Sequence, residues 1–167
     1  MAIRLRFVSA NDLFSRIIRG AEMGFTWSHV ESVTPGGLYL GSVIQGGVQA
    51  RPSDYDKGQW TQELFVDLPA TDGQSQAFYA FLVSQVGKKY DEEAIGEMAI
   101  GELTGEAPDW ANASSWICSA LQTAALLTAG IVKAAPATVR LATPRDVLCM
   151  CSALTNVGKA QTPSLKG

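Results

Sequence analysis

The sequence is poor in the residues that mark several common classes of protein. Only 17% of its 167 residues are charged, the formal net charge is −3, and no cluster of lysine or arginine is present. A surface that binds nucleic acid is therefore not expected. Three cysteines are too few, and an odd number, for a disulfide framework. Hydrophobic residues make up 47%, which is typical of a globular protein rather than a disordered one.

Long hydrophobic runs are also lacking. The first seven residues contain no apolar stretch of the kind that directs secretion. The longest apolar stretch, residues 120–132, is interrupted by polar residues and is too short to span a bilayer. We therefore expect a soluble protein made in the cytoplasm. Its length fits one domain, over residues 1–157, followed by a flexible tail over residues 158–167.

The spacing of apolar and turn-forming residues predicts both helices and strands. Helices are predicted over residues 11–23, 71–86, 90–105 and 116–129, with a short final helix that begins near Thr143. Strands are predicted over residues 27–33, 38–44, 48–52 and 60–68. This mixture favours a single α+β domain.

The first two predicted strands form a hairpin. Thr34-Pro35-Gly36-Gly37 is a strong turn signal between them. If these four residues form the loop, Val33 faces Leu38, and His29 faces Ser42 across the pair of strands. A slip in register would change these partners.

Histidine and cysteine are scarce, and their positions are informative. His29 is the only histidine, and Cys118 lies in the first turn of the helix predicted over residues 116–129. Free backbone N–H groups and the helix dipole lower the pKa of a thiol there, and the same amides can form an oxyanion hole. A cysteine at a helix start and a distant histidine on a strand are typical of a Cys–His dyad. Taken singly, each residue has a structural alternative: a histidine bonded within a sheet, and a small buried cysteine.

Several short motifs are similar to those of NlpC-type papain-fold cysteine peptidases. In chain order they are Trp27-Ser28-His29-Val30-Glu31, Tyr39-Leu40-Gly41, Gly46-Gly47-Val48, Gly87-Lys88-Lys89-Tyr90-Asp91 and Ile117-Cys118-Ser119-Ala120-Leu121, within residues 5–150. The histidine motif precedes the cysteine motif. This order resembles the circularly permuted branch of the superfamily, which includes relatives of lecithin retinol acyltransferase. The resemblance implies a papain-like fold, in which a helix that carries the nucleophilic cysteine packs on an antiparallel sheet that carries the histidine.

The resemblance also implies a function. The expected reaction is hydrolysis of an amide or peptide bond through a Cys118 acyl-enzyme with His29 as base, in bacterial cell-wall peptides, by a bacterial or phage protein. No cofactor is expected. A cell-wall substrate would require export by another route, release on lysis, or delivery in a phage particle. Two alternatives stay open: a lipid acyltransferase or thioesterase of the same fold, and a non-catalytic binding or structural module.

The third residue of the site is the least certain on sequence grounds. Glu31 is predicted to orient His29, because residues two apart on a strand project from one face and a carboxylate holds an imidazole well. Both side chains are then expected to face the cysteine helix. Ser42 and Gln45, on the second strand, are the alternatives.

Three residues are predicted to contact the substrate: Tyr90, Trp27 and Ser119. Tyr90 matches the Gly-x-x-Tyr-Asp element of the resemblance, but a tyrosine there is equally suited to packing the sheet against a helix. Trp27, Trp110 and Trp116 are candidates for the cleft wall, although large aromatic residues more often belong to a core.

The remaining cysteines are predicted to be inert. Cys149 and Cys151 fall in an apolar segment, Val147-Leu148-Cys149-Met150-Cys151, and are expected to be small core residues without a catalytic role. Cys-x-Cys is not the usual spacing of zinc ligands, so no metal site is expected. The sequence contains neither a Walker phosphate-binding loop nor a Gly-x-Ser-x-Gly element.

Overall fold

The structure is a computed structural model that describes residues 2–10, 15–16, 24–95, 113–133 and 139–154. Its strands are β1 (Ala2–Ala10), β2 (His29–Val33), β3 (Tyr39–Val43), β4 (Gly47–Arg51), β5 (Trp60–Pro69), β6 (Lys89–Tyr90) and β7 (Ser115–Trp116). The helices are α1 (Asp72–Ser84), α2 (Cys118–Thr128) and α3 (Pro144–Ser152), with a 3-10 turn at Val139–Leu141. Residues 15–16 and 92–95 are helical. The rest of the helices predicted over 11–23 and 90–105, Trp110, and the tail over 158–167 lie outside the described residues.

Five strands form one antiparallel sheet in the order β4–β3–β2–β1–β5, and β6 and β7 form a short parallel pair. Helix α2 packs against β2 and β3 on one face of the sheet, and α1 packs against α2. The core between these layers includes Leu5, Phe7, Leu40, Phe78 and Leu121. The predicted α+β class is therefore confirmed.

Strand β1 is not among the strands predicted from the sequence, although it lies between β2 and β5 in the sheet. Ile3, Leu5 and Phe7 are fully buried and alternate with two arginines, which is the period-two pattern of a strand. The surprise is Arg6, because only 1% of this residue is exposed. Burial of an arginine requires partners for its charge, and these partners form part of the candidate site.

The predictions for β5 and α1 are confirmed. Along β5, Leu64, Val66 and Leu68 are buried, and the residues between them lie on the exposed side of the strand. Helix α1 begins after Thr71, whose hydroxyl accepts a hydrogen bond from the Gln74 backbone N–H. Such a cap stabilises the first turn, where backbone N–H groups lack partners within the helix.

The predicted hairpin is present, but its predicted register is wrong by one residue. Val33 pairs with Tyr39, not with Leu38. The loop contains three residues rather than four, because Thr34 and Leu38 bond across it and Gly37 adopts a left-handed conformation with φ of 80°. A shift of one residue moves a side chain to the other face of the sheet, so Ser42 does not lie opposite His29.

Gly47 is the tightest backbone contact beside the site, and it leads to a stability prediction. Its φ is 67°, and a Cβ at this position would collide with the carbonyl oxygen of Lys88. That carbonyl already accepts a hydrogen bond from Val48 N–H at 2.9 Å. We expect Gly47→Ala to lower the free energy of unfolding by about 2–4 kcal/mol, measured by urea denaturation.

Gly58→Ala is the matched control, because Gly58 also has a positive φ, 81°, but no atom lies within 4 Å of the added Cβ. It should cost only the conformational strain, about 1 kcal/mol. Equal losses in the two variants would show that the Lys88 contact does not restrict residue 47.

Candidate active site

Cys118 is the first residue of α2. The residue before it, Ile117, caps the helix without a side-chain hydrogen bond, so that no side chain occupies the N–H groups of the first turn. The approach to the helix is fixed by the Trp116 carbonyl, which accepts hydrogen bonds from Ser42 Oγ at 2.6 Å and from the Asp91 backbone N–H at 3.3 Å. The start of α2 is thereby tied to β3.

His29 is the first residue of β2, and its ring lies beside the thiol of Cys118, close enough for each group to shift the pKa of the other. The backbone of Val30 and the side chain of Ser119 also lie near the sulfur and lower the pKa of the thiol. The structure therefore brings together the two residues predicted to form a dyad.

The dyad favours its charged form. Burial alone would lower the pKa of His29 and raise that of Cys118. The contact between the two groups outweighs burial, so the pKa of His29 rises to about 9 and the pKa of Cys118 falls below its usual value. Both shifts favour the pair of a thiolate and an imidazolium, and a thiolate is the nucleophilic form of cysteine.

Glu31 lies near His29, but not on the face of the sheet that was predicted. Its Oε2 atom is 3.6 Å from His29 Nε2, too long for a hydrogen bond. The neighbouring Ser32 faces α2, because its hydroxyl donates to Gln122 Oε1 at 2.7 Å. Successive residues of a strand point to opposite faces, so Glu31 points away from α2. The expectation that Glu31 faces the cysteine helix is wrong.

Glu31 instead belongs to a buried charge cluster, which we define as Arg6, Glu31, Arg51, Asp56 and Glu63. Arg6 is its centre: its guanidinium donates to Glu31 and Asp56 at 2.7 Å and to Glu63 at 2.6 Å. Arg51 Nη2 donates to Glu31 Oε2 at 2.7 Å. With two cations and three carboxylates, the cluster carries a net negative charge, which favours the imidazolium form of the nearby His29.

The charges around Glu31 set the pKa of its carboxyl group. Burial would raise the pKa of this carboxyl, but the interaction with His29 and the charges of Arg51 and Arg6 lower it to about 2. Glu31 is therefore an anion under all physiological conditions. The burial of Arg6 and Arg51 is not predicted from the sequence, because a lone arginine on a strand gives no signal that it will be buried.

The described contacts of the two alternatives to Glu31 lie elsewhere for Ser42 and involve only the backbone for Gln45. Ser42 is fully buried and donates to the Trp116 carbonyl, so it positions the start of α2 and not the imidazole. The backbone carbonyl of Gln45 accepts a hydrogen bond from Gln49 Nε2 at 2.9 Å. Of the three candidates, Glu31 is the one with an ion-pair contact to His29 among the described residues.

A cleft of about 600 Å³ opens beside His29. Its lining mixes polar residues, among them Gln45, Gln49 and Tyr90, with apolar ones such as Ile44 and Trp60. His29 and Arg51 also form part of the wall, whereas Cys118, only 2% exposed, does not. A ligand in the cleft therefore meets the imidazole before the sulfur.

The predicted substrate-contacting residues separate in the structure. Tyr90 lines the cleft. Trp27 packs in the hydrophobic core, so its assignment to the cleft wall is corrected. Ser119 is 1% exposed and contacts the thiol rather than the cleft. Trp116 is also buried, and its indole N–H donates to Gln85 Oε1 at 3.1 Å.

Comparisons with known proteins support the fold alone. No family model matches the chain, and no curated protein matches it. Among solved structures, the chain is similar to the metalloprotein yiiX from Escherichia coli O157:H7, also described as DUF1105, with 17% identity, a TM-score of 0.55 and 98% of each chain covered. At this identity the likeness is evidence for a shared fold and carries no information about activity.

The described part of the chain contains no group of three or more histidine, cysteine, aspartate or glutamate side chains that could hold a metal ion. Within the same residues, every helix is too short or too polar to cross a membrane.

The other cysteines lie on α3, where residues two apart point in different directions. Cys151 is buried, and burial raises the pKa of its thiol to about 12. Cys149 is exposed, so the prediction that both are core residues is wrong for Cys149. We expect a disulfide reagent such as Ellman's reagent to label Cys149 in the folded protein and Cys151 only after unfolding.

Replacing Cys149 and Cys151 together by alanine should leave most of any hydrolase activity, because neither thiol is among the groups described beside His29 and Cys118. A loss as deep as that of Cys118→Ala, in protein that circular dichroism shows to be folded, would contradict this prediction.

Proposed function

We propose that the protein is a cysteine hydrolase that cleaves an amide or peptide bond, with Cys118 as nucleophile and His29 as its acid and base. The observation that carries the proposal is the contact between the Cys118 thiol and the His29 ring at the start of α2. A shifted pair of this kind, beside a cleft, is the usual sign of a functional site.

The reaction would proceed in two steps. The Cys118 thiolate attacks the carbonyl carbon, and the backbone N–H groups of the first turn of α2 stabilise the oxyanion. His29 passes its proton to the departing amine as the carbon–nitrogen bond breaks, which leaves a thioester on Cys118. Water then attacks the thioester, His29 accepts a proton from that water, and the carbon–sulfur bond breaks to release the carboxylic acid and restore the thiolate beside the protonated His29.

The proposed fold is the circularly permuted papain-like fold. In support, the strand that carries His29 precedes the helix that carries Cys118, and α2 packs on an antiparallel sheet. By the same resemblance, we propose a peptide or amide link in bacterial cell-wall peptides as the substrate. The mixed lining of the cleft offers polar groups for the backbone of a peptide and apolar surface for its side chains.

The test is to trap the acyl-enzyme by mass. Protein that carries Cys149→Ala and Cys151→Ala is mixed with short cell-wall peptides or with a long-chain acyl thioester, quenched in acid, and weighed intact. We expect a peptide acyl adduct on Cys118 and release of the amine product, both absent from Cys118→Ala. Transfer of the lipid acyl group alone would favour the acyltransferase alternative, and no adduct from either donor would favour the non-catalytic module.

A further inference from the structure

A single carboxylate oxygen is shared by two cations at the site. Glu31 Oε2 lies 2.7 Å from Arg51 Nη2 and 3.6 Å from His29 Nε2. The first distance is a strong charge-assisted hydrogen bond, and the second is too long for one. His29 Nε2 is buried and lacks any hydrogen-bond partner among the described residues. Glu31 Oε2 is therefore hydrogen-bonded to Arg51 and not to His29.

Arg51 is held firmly in this position. It ends β4 and pairs with Tyr39 of β3, and its guanidinium lies over the Tyr55 ring, 4.0 Å from the centroid. Gly41, between Glu31 and Arg51, leaves room for the contact. A Cβ at residue 41 would lie 2.8 Å from Glu31 Cβ and 3.7 Å from Arg51 Nη2.

Other charges near His29 are already paired. The groups that surround it come from five elements: Glu31 on β2, Cys118 on α2, Arg51 on β4, Arg6 on β1, and Asp56 with Tyr55 on the segment before β5. Glu63 of β5 bonds Arg6 from the far side. Arg6 is divided among three carboxylates, whereas the described hydrogen bonds of Arg51 go to Glu31 alone. Arg51 is thus the cation whose removal changes Glu31 with least effect on the rest of the cluster.

We propose that Arg51 is a positioning residue that holds the Glu31 carboxylate back from His29, so that the imidazolium stays free to give its proton to the leaving group. The proposal rests on the proposed function for its catalytic meaning. Its structural core, restraint of Glu31 by Arg51, stands on the distances alone.

The restraint matters because His29 must act in both directions. A carboxylate bonded to the imidazole stabilises the imidazolium and makes it a weaker acid. An amine leaving group needs that proton in the transition state, so too strong an ion pair would slow cleavage of an amide. The bond to Arg51 limits how much of the charge on Glu31 acts on His29.

The test is an NMR titration of His29, the only histidine in the sequence, so that its ring signals need no assignment. Removal of Arg51 should release Oε2 toward Nε2 and also remove a nearby positive charge. Both changes favour the imidazolium. We therefore expect Arg51→Met to raise the pKa of His29 above the wild-type value. In Arg51→Lys, which keeps the charge, the pKa of His29 should lie close to the wild-type value.

Three further variants make the result specific. Arg4→Met removes an arginine from an exposed ion pair with Asp67 on the same sheet, and it should leave the titration of His29 unchanged. In a Glu31→Gln background, Arg51→Met should lose most of its effect, because the proposed action runs through Glu31. If Arg51→Met does not fold, Arg51→Gln removes the charge while keeping a hydrogen-bond donor, and it serves the same comparison.

An unchanged or lowered pKa of His29 in folded Arg51→Met protein would overturn the proposal. So would an effect of the same size with and without Glu31, since Arg51 would then act on His29 directly. The titration requires no substrate. Its result is therefore independent of the acyl-enzyme experiment, and each proposal can fail while the other stands.

Discussion

Alkylation of Cys118 by iodoacetamide should persist in acid far better than that of an ordinary thiol. In a protein with Cys149→Ala and Cys151→Ala, only Cys118 can react. Its interaction with His29 lowers the pKa of the thiol, so a larger share of the plateau rate should remain at pH 6 than for an ordinary thiol. An ordinary thiol, with a pKa of about 8.5, is only about 0.3% thiolate at that pH.

His29→Gln supplies the comparison. Without the imidazolium, burial raises the pKa of Cys118, so the variant should keep less than about a hundredth of its plateau rate at pH 6. The shape of each pH profile is compared rather than the absolute rate, because Cys118 is nearly buried and access affects both proteins alike. Equal midpoints in wild type and His29→Gln would end the dyad hypothesis.

Glu31→Gln should cause a large loss of stability. Glu31 is fully buried and bonds both Arg6 and Arg51, so a neutral side chain would leave the Arg51 guanidinium without its described carboxylate partner and Arg6 with two of its three. We expect a loss of about 3–5 kcal/mol in the free energy of unfolding, measured by urea denaturation. The pKa of His29 should also fall, because the nearby negative charge is gone.

Glu63→Gln is the matched control, since Glu63 bonds Arg6 from a partly exposed site and its side chain is 20% exposed. It should cost about 1–2 kcal/mol. The free energy of unfolding of the two variants should also depend differently on pH. The pKa of Glu31 is lowered to about 2, so its contribution to stability is present above about pH 4.5 and is lost as the pH falls toward 2. That acid-dependent loss should shrink in Glu31→Gln and persist in Glu63→Gln.

The dyad could be predicted because its signals are local. The position of Cys118 at a helix start follows from the apolar, alanine-rich stretch behind it, and the position of His29 on a strand follows from the hairpin around it. Both signals lie within a few residues of the side chain concerned. The buried face of β5 and the capped start of α1 were predictable for the same reason.

The surroundings of the dyad could not be predicted, because they depend on contacts between distant strands. The loop at Pro35–Gly37 is one residue shorter than predicted, so the register of the hairpin differs from the predicted one. Ser42 therefore contacts the start of α2 and not the imidazole. The partners of Arg6 and Arg51 come from several strands and one loop, and nothing within any one segment indicates that their charges will be buried. A third residue chosen for its chemistry, Glu31, proved to be near His29, but for reasons of cluster geometry that its sequence neighbours do not reveal.

The chain order of the two dyad residues has a consequence for how the protein acquires its reactivity during synthesis. All five strands of the large sheet precede Cys118, so the ribosome makes His29 long before Cys118. In an unfolded nascent chain the thiol is ordinary and mostly protonated at neutral pH. Its pKa falls only when α2 packs beside β2 and brings the thiol to His29. Any reactivity that the proposed dyad gives Cys118 is therefore acquired only when the helix docks, and the same docking buries the sulfur.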